Sequence, residues 1–398
     1  MKTMNYENGA FGDTDLLSVS IHEDRTTQLA ISKLKPVSKD LINKWNESQG
    51  SIAYELGLFV NDSAKGVDFD SVYDKQKELG AGGFAIVYRC EHKERGNTYA
   101  VKEMFNDEGE TSSENIKAEI DALKRLREGP YIVRLLDVFT APDRTHLVME
   151  EMRGGDLLER LQDRVIFTER ESRRISRTLL EAVSFCHRKG IVHRDIKLEN
   201  ILLTDPVDCT RIKLADFGYS KRITGKNCLY TLCGSPDYVA PELYLHEHGY
   251  DERCDIWSSG VVMFMLLGGY APFQSSDGNL PELICDGYFE FHDAYWNDIS
   301  EEPKDLIRSL LVVNPEERAS IENALDSEWL RRRDRESVLK YSNPLNGSST
   351  NTFDAWVRLQ NESSHSNALD VPPESSFATD HPEASGHDSF RSLYLDDL

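Results

Sequence analysis

HRDIKLEN, at residues 193–200, is followed by the tripeptide DFG at residues 216–218. Either string alone occurs by chance, but the two in this order and at this spacing almost exclude coincidence. A carboxylate at Asp195 can orient an attacking hydroxyl and accept its proton, and Lys197 can neutralise charge on a moving phosphoryl group. Asn200 and Asp216 can hold Mg²⁺ against ATP. The pattern predicts a phosphoryl-transfer site in which Asp195, Lys197 and Asn200 are catalytic and Asn200 and Asp216 bind the metal.

The other motifs that such a site needs occur in the expected order along the chain. With them, the chain resembles a eukaryotic protein kinase. A glycine-rich hairpin over ATP is expected upstream, where missing Cβ atoms let backbone amides approach the phosphates. Its members are Leu79, Gly80, Ala81, Gly82, Gly83, Phe84, Ala85, Ile86 and Val87. Ala85 stands at the third glycine of the family pattern, a mild departure because alanine has the smallest side chain with a Cβ atom.

The resemblance implies further contacts with ATP. Lys102, in the strand-like YAVK, corresponds to the lysine that contacts the α and β phosphates. Glu119 lies in ENIKAEIDALKRLR, whose apolar residues recur at helical spacing, and it matches the family's ion-pairing glutamate. The hinge is expected in LVMEEM, where backbone groups near Glu150 and Met152 would bind adenine and Met149 would be the gatekeeper.

The fold implied is α+β, the bilobed protein kinase fold, with a small antiparallel β lobe carrying one helix and a large α-helical lobe. We expect the kinase domain at residues 72–330, with the lobes meeting near residue 150. An ion pair between Glu242 and Arg318 is expected in the large lobe. An apolar spine joining the lobes would consist of Leu123, Leu135, His193 and Phe217.

Both ends of the chain differ from this domain in composition. Residues 1–71 form an N-terminal extension of unknown structure. The tail at residues 331–398 is rich in Ser, Asn, Asp and Pro, and it carries too little apolar surface to offset the entropy of ordering. We therefore expect a disordered tail.

The chain is acidic, with a formal net charge of −23 and a pI near 4.9. This charge argues against nucleic acid or an anionic membrane as the main partner, and it favours protein substrates with basic residues before Ser/Thr. No apolar run approaches the roughly 20 residues of a membrane span, and the polar start is not a secretory signal. Seven cysteines scattered without metal-ligand spacing predict reduced thiols in a cytoplasmic protein, with the nucleus as the alternative compartment.

The acceptor hydroxyl is indicated by two loops. Lys197 after the catalytic aspartate, together with Gly-Ser-Pro at residues 234–236, resembles serine/threonine kinases, and Ser235 would bond to Asp195 and Lys197. The strings TLCGSPDYVAPE and LVMEEMRGGDLLERL resemble the calcium/calmodulin-dependent and cAMP-dependent groups. Met265 favours the former, because the latter has an acidic residue at this position.

A substrate motif follows from the same resemblance. In kinases that select arginine three residues before the target, an acidic side chain after the hinge glycines contacts that arginine, and Asp156 stands at this position. Glu199 offers a second carboxylate. Because Met265 removes the usual companion of Glu199, arginine at −3 is predicted to matter more than arginine at −2. The alternative is that Asp156 caps the helix that follows it, a role that does not exclude the contact with arginine.

Two regulatory features are also predicted. Thr231 occupies the position phosphorylated in related kinases by an upstream kinase, and Arg194 and Lys221 could pair with the phosphate. A basic, partly amphipathic stretch from Trp329 to Lys340 stands where calmodulin-dependent kinases carry their regulatory helix, which makes calmodulin a candidate partner. Alternatively, Trp329 packs at the end of the large lobe and the arginines only cap it.

Three functions from different classes remain open. An active serine/threonine kinase accounts for all the motifs together. A pseudokinase or nucleotide-binding scaffold has the support of Ala85 alone. A lipid or small-molecule kinase is disfavoured, because residues 234–242 are shaped to hold a peptide. Turnover of labelled ATP with a basic peptide would separate the three.

Overall fold

The computed structural model describes residues 61–62, 68–82, 85–106, 110–164, 166–223, 225–245, 249–275 and 279–332. Some predictions concern other parts of the chain. Gly83 and Phe84 of the hairpin, most of the N-terminal extension, the tail and the part of the basic stretch after residue 332 lie outside the described residues.

The small lobe is built on one six-stranded sheet. Five of its strands pair antiparallel in the order β5-β6-β4-β3-β2, which confirms the antiparallel lobe predicted from the sequence. A further strand from the N-terminal extension, β1, pairs parallel with β5 at the sheet edge. The strands of this sheet are β1 (Asn61–Asp62), β2 (Tyr73–Ala81), β3 (Ala85–His92), β4 (Thr98–Phe105), β5 (Leu135–Thr140) and β6 (Arg144–Glu150). Two separate two-stranded sheets pair β7 (Ile191–Val192) with β10 (Lys221–Arg222) and β8 (Ile201–Leu203) with β9 (Ile212–Leu214).

A one-turn helix, α1 (Phe69–Val72), packs into the core of this lobe. Phe69 is 1% exposed, and its ring stacks on Tyr73 and on His146 with centroids 5.5 and 4.4 Å apart. Burying an aromatic side chain of this size contributes roughly 1.5–3 kcal/mol. Phe69 precedes residue 72, so the small-lobe core reaches back into the N-terminal extension.

The other helices build the large lobe, except that α2 belongs to the small lobe. They are α2 (Glu110–Leu126), α3 (Leu157–Arg164), α4 (Glu169–Arg188), α5 (Pro241–Leu245), α6 (Arg253–Gly268), α7 (Leu280–Asp286), α8 (Asp293–Trp296), α9 (Glu301–Leu310), α10 (Ile321–Leu325) and α11 (Glu328–Arg331). Two 3₁₀ helices span Leu198–Asn200 and Pro236–Tyr238. Within the described ranges, no helix combines the length and the apolarity needed to cross a membrane.

Helix α6 forms the centre of the large lobe. Every residue from 254 to 268 is buried, as expected for a helix that is apolar on all sides. Helix α4 packs against it and begins with a capping box. The Glu171 amide donates to Thr168 Oγ1 at 3.2 Å, while the Thr168 amide donates to Glu171 Oε2 at 2.9 Å. Helix α6 also contacts the catalytic loop, residues 193–200, through Asp255.

The two lobes meet at β9. The Val133 amide donates to the Leu214 carbonyl at 2.9 Å, and the Leu214 amide donates to the Tyr131 carbonyl at 2.8 Å. The four predicted spine residues, Leu123, Leu135, His193 and Phe217, are all buried. Because β9 leads directly to Asp216, this junction places the DFG segment between the lobes.

Candidate active site

The carboxylate of Asp195, 4% exposed, is held by three neighbours. Ser235 donates to Oδ1 from its backbone amide and from its hydroxyl, each at 3.0 Å. Asn200 donates its side-chain amide to Oδ2 at 3.0 Å, and Lys197 Nζ lies 3.3 Å from the same oxygen. Lys197 also donates to Ser235 Oγ at 2.8 Å. The contacts predicted for Ser235, with Asp195 and with Lys197, are therefore both present.

Asp255, at the start of α6, fixes the backbone of the catalytic loop. Its fully buried carboxylate accepts the amides of His193 at 2.9 Å and Arg194 at 2.8 Å, and His187 Nε2 lies 2.8 Å from it. Burial opposes the charge, but the contacts with His187 and with His193 together outweigh burial and lower the pKa of Asp255. Arg194 has φ 68°, a left-handed conformation that costs about 1–3 kcal/mol and that Asp255 holds in place.

Lys102 lies between two carboxylates. Its Nζ is 2.7 Å from Glu119 Oε1 and 2.8 Å from Asp216 Oδ1, so the structure brings these three predicted residues together. Burial disfavours the ammonium, but the two carboxylates outweigh burial and raise the pKa of Lys102. Burial likewise opposes the Asp216 carboxylate, yet the charge and hydrogen bond of Lys102 lower the pKa of Asp216 to about 2. Both groups are charged at neutral pH.

The backbone around Asp216 is tightly packed. Asp216 has φ 58°, and the Gly218 amide donates to its Oδ1 at 3.3 Å. A Cβ on Gly218 would lie 3.2 Å from that oxygen and 3.6 Å from Lys102 Nζ, so the space favours glycine there. Phe217 between them is buried, and its ring centroid lies 4.8 Å from that of His193.

Asn200 and Asp216 suit a divalent cation shared with phosphates. The side-chain nitrogen of Asn200 is engaged by Asp195, which leaves the amide oxygen available. Asp216 Oδ1 takes the contacts of Lys102 and Gly218, and Oδ2 takes neither of them. Mg²⁺ typically uses one or two carboxylates together with waters and substrate phosphates. In the described part of the chain there is no cluster of three or more His, Cys, Asp or Glu residues that could form a closed metal cage.

The glycine-rich hairpin is formed by β2 and β3. Gly80 pairs with Val87 and Ala81 with Ile86, and the Gly82 amide donates to the Ala85 carbonyl at 2.8 Å. A Cβ on Gly80 would meet no atom of the described residues within 4 Å, so none of those residues requires glycine there. Leu79 is half-exposed at the end of this hairpin. Among the residues that the structure describes, the space beside Gly80 is open, which is consistent with the approach of a ligand.

At the hinge, the Glu150 side chain is already engaged. Its carboxylate accepts the Arg134 amide at 2.8 Å and contacts Lys213 Nζ, and its own amide donates to the Arg134 carbonyl at 3.1 Å. Both carboxylate contacts use Oε1, and because the amide is engaged as well, an adenine contact by the backbone of this residue would have to use its carbonyl. Met149 and Met152 are half-buried beside it.

The two predicted substrate carboxylates differ in their contacts. Asp156 Oδ1 accepts the Glu159 amide at 2.8 Å, so Asp156 does cap α3, as the alternative reading held. Burial raises the pKa of Asp156. Glu199 Oε2 is buried and has no hydrogen-bond partner among the described residues, and burial raises the pKa of Glu199 as well. Met265 is fully buried in α6.

Thr231 is exposed, and its carbonyl accepts the Tyr250 hydroxyl at 2.6 Å. Arg194 Nη1 donates to that hydroxyl at 2.9 Å, so Arg194 reaches the Thr231 segment through Tyr250. Lys221 is exposed on β10, which pairs with β7.

The sequence did not predict the roles of Tyr250 and Asp255. For Asp255 the available signal was an acidic residue at the start of an otherwise apolar helix.

Two predicted structural residues of the large lobe form an ion pair. Arg318 Nη1 and Nη2 donate to the two carboxylate oxygens of Glu242 at 2.7 and 2.8 Å, and the Arg318 side chain is fully buried. The guanidinium carbon also lies 5.2 Å from the Trp257 ring centroid. Glu242 follows the stretch that contains Thr231 and Ser235, and this bidentate pair holds the end of that stretch against the large lobe.

Comparison with known proteins agrees with this geometry. The family model for the protein kinase domain matches residues 73–330. Myosin light chain kinase A of Dictyostelium discoideum is 37% identical over 276 residues, which cover 68% of this chain and 92% of that protein. Calcium/calmodulin-dependent protein kinase type 1B of Rattus norvegicus is 36% identical over 314 residues, covering 77% and 90%.

Ribosomal protein S6 kinase 2 alpha of Xenopus laevis is 36% identical over 277 residues, but the aligned region spans only 37% of that protein. The first two relatives are matched over nearly their whole length, and the family match covers well over half of this chain. The chain therefore belongs to the protein kinase domain family, as a serine/threonine kinase of the calcium/calmodulin-dependent group.

Proposed function

We propose that this serine/threonine kinase uses ATP with Mg²⁺ to phosphorylate Ser/Thr hydroxyls that follow basic residues, in a cytoplasmic signalling role. One observation carries the proposal. The Asp195 carboxylate is fixed by Ser235, Asn200 and Lys197 within 3.3 Å, in a chain that also forms the Lys102–Asp216 ion pair. An acceptor base and a phosphate-binding cation are thereby both pre-positioned.

Each residue then has one task. Asp195 would orient the acceptor hydroxyl and take its proton. Burial disfavours the Lys197 ammonium, but the carboxylates of Asp195, Glu199 and Asp216 together outweigh burial and raise the pKa of Lys197, so a cation is available for the moving phosphoryl group. Lys102 would hold the α and β phosphates. Asn200 and Asp216 would hold Mg²⁺, which when bound neutralises charge on the phosphates.

The preference for arginine at −3 is supported by charge and burial. Glu199 Oε2, which has no hydrogen-bond partner in the described part of the chain, is a buried acceptor, and a guanidinium can supply the missing donors. Asp156 keeps one oxygen outside its capping contact. Hydrogen bonds to charged groups contribute about 1.5–3 kcal/mol, which corresponds to roughly a ten- to hundredfold preference.

A positional-scanning peptide library with labelled ATP tests the function and the motif together. We expect labelled phosphoserine or phosphothreonine, with arginine selected at −3. Asp156→Asn should reduce that selectivity, because asparagine still caps α3 but lacks the charge. Asp163→Ala, on the exposed side of the same helix, is the matched control. Flat selectivity at −3 would refute the motif while leaving the activity intact.

Activation by an upstream kinase acting on Thr231 is part of the proposal. A phosphate there would add about −1.5 to −2 charges close to the Arg194 guanidinium, with Lys221 as a second candidate cation. Thr231→Ala should lower activity measured under phosphorylating conditions. Equal activity of the variant and the wild type would assign activation to another element.

Calmodulin remains a candidate partner, but two apolar residues of the basic stretch are packed in the large lobe. Trp329 and Leu330 are buried, and Trp329 Nε1 donates to Glu169 Oε1 at 3.1 Å. Apolar anchors for calmodulin would therefore have to come from residues after 332, or α11 would have to leave the lobe. Titration of Ca²⁺-calmodulin against a peptide of residues 323–345 tests this partner, and absence of binding at micromolar concentration removes it.

The second candidate is a pseudokinase or nucleotide-binding scaffold, and Ala85 in the glycine-rich hairpin is the observation that favours it. Such a protein would bind ATP without labelling any peptide in the library experiment. Nucleotide binding with no turnover, under conditions where Thr231 is phosphorylated, would establish this alternative.

A further inference from the structure

Tyr250 joins the stretch at residues 229–235, which contains Thr231 and Ser235, to Arg194 of the catalytic loop. Its backbone forms two hydrogen bonds with Leu229, from the Tyr250 amide at 2.8 Å and to the Tyr250 carbonyl at 3.1 Å. Its hydroxyl donates to the Thr231 carbonyl at 2.6 Å and accepts from Arg194 Nη1 at 2.9 Å. Tyr250 itself is 3% exposed, so its side chain is largely shielded from water.

The hydroxyl is suited to link a cation to a carbonyl. Burial raises the pKa of Tyr250, so the phenol keeps its proton and can donate it to the carbonyl. A lone pair on the same oxygen accepts from the guanidinium. The other contacts of Arg194 run to the residue after the DFG tripeptide and to α6, because its Nε donates to the Tyr219 carbonyl at 2.7 Å and its amide to Asp255.

The contacts of Tyr250 bear on the position of Ser235, which contacts the proposed base Asp195. Thr231 lies four residues before Ser235, whose amide and hydroxyl both bond to Asp195. We infer that Tyr250 is a positioning residue whose hydroxyl ties the Thr231 backbone to Arg194 and thereby holds Ser235 against Asp195. The tie uses a carbonyl, so it does not require a phosphate on Thr231. This role rests on the kinase activity of the chain.

The chain supplies a matched control in Tyr270. This tyrosine is also buried, its hydroxyl donates to the Glu290 carbonyl at 2.9 Å, and it accepts from Trp296 Nε1 at 2.9 Å. The Tyr270 hydroxyl also accepts the His292 amide at 3.1 Å, so Tyr270→Phe removes a buried hydroxyl that likewise joins N–H donors to a carbonyl, between α6 and α8 rather than at the catalytic loop. A general loss of stability would affect both variants alike.

The experiment compares Tyr250→Phe with Tyr270→Phe, each in the full chain carrying Thr231→Ala. Alanine at 231 keeps the carbonyl and excludes phosphorylation. We expect Tyr250→Phe to lower kcat/KM for a basic serine peptide about tenfold, because a guanidinium N–H and a carbonyl lose their partner. The KM for ATP should stay within about twofold in that variant, and Tyr270→Phe should leave both constants within about twofold.

Equal values of the peptide kcat/KM in the two tyrosine variants would overturn the inference. A rise in the KM for ATP as large as the fall in the peptide kcat/KM of Tyr250→Phe would overturn it as well. Hydrogen exchange gives a second measurement. Amides of residues 231–235 should exchange faster in Tyr250→Phe than in its parent, and unchanged exchange there would also overturn it. Activity of the parent protein is measured in the same series, so absence of kinase activity is distinguished from failure of the Tyr250 role.

Discussion

Ser235→Ala tests whether the peptide-binding segment contributes directly to the position of the base. The substitution removes the hydroxyl that donates to Asp195 Oδ1 at 3.0 Å and accepts from Lys197 Nζ at 2.8 Å. The Ser235 amide still holds Oδ1, and Lys197 still lies 3.3 Å from Oδ2. The net loss should therefore resemble one hydrogen bond to a charged group, about 1.5–3 kcal/mol, or about a ten- to hundredfold fall in kcat/KM for the peptide.

The assay is steady-state kinetics with a basic serine peptide and ATP varied separately. The KM for ATP should stay within about twofold, because the hydroxyl contacts no predicted nucleotide ligand except through Asp195 and Lys197. Ser235→Thr keeps the hydroxyl and should recover most of the activity. A peptide kcat/KM close to wild type in Ser235→Ala, or an equal loss in Ser235→Thr, would refute the reasoning.

The remaining predictions concern the support of the site and its metal. Arg318→Ala leaves the Glu242 carboxylate without its bidentate partner and should lower the free energy of unfolding by about 3–5 kcal/mol in denaturant titration; a loss below about 1 kcal/mol would contradict a buried pair. Asp255→Asn replaces a charged acceptor of two backbone amides and should lower kcat about tenfold, with unchanged kcat arguing against its role. Asp216→Asn should raise the Mg²⁺ concentration for half-maximal activity, and an unchanged Mg²⁺ dependence would remove Asp216 as a ligand.

The fold and the centre of the site were predictable because the chemistry needs fixed residue types at fixed spacing. Lys102, Glu119 and Asp216 lie far apart in sequence, yet each is recognisable from its own motif, and the structure joins them by two contacts below 3 Å. The pairing of Glu242 with Arg318 was predictable for the same reason. Each of these residues carries a charge whose partner the motif implies.

Other features depend on packing that no local pattern encodes. Tyr250 meets Arg194 across 56 residues, and a tyrosine in a loop carries no sign of such a partner. Phe69 lies among polar residues before the predicted domain start, and only the assembled sheet shows that its ring fills the small-lobe core. The capping of α3 by Asp156 was one of two readings of the same residue, and the structure contains that contact.

The most direct test of the account is single-turnover transfer with Asp195→Asn. Enzyme loaded with γ-labelled ATP and Mg²⁺ is mixed with a basic serine peptide, and ATP affinity is measured separately by calorimetry. The wild type should form labelled phosphoserine, and the variant should be slower by about 10²-fold or more with ATP affinity within about twofold. Transfer by the variant at a rate near wild type, or no labelled phosphoserine from the wild type, would contradict the assignment of Asp195 as the base of a protein kinase.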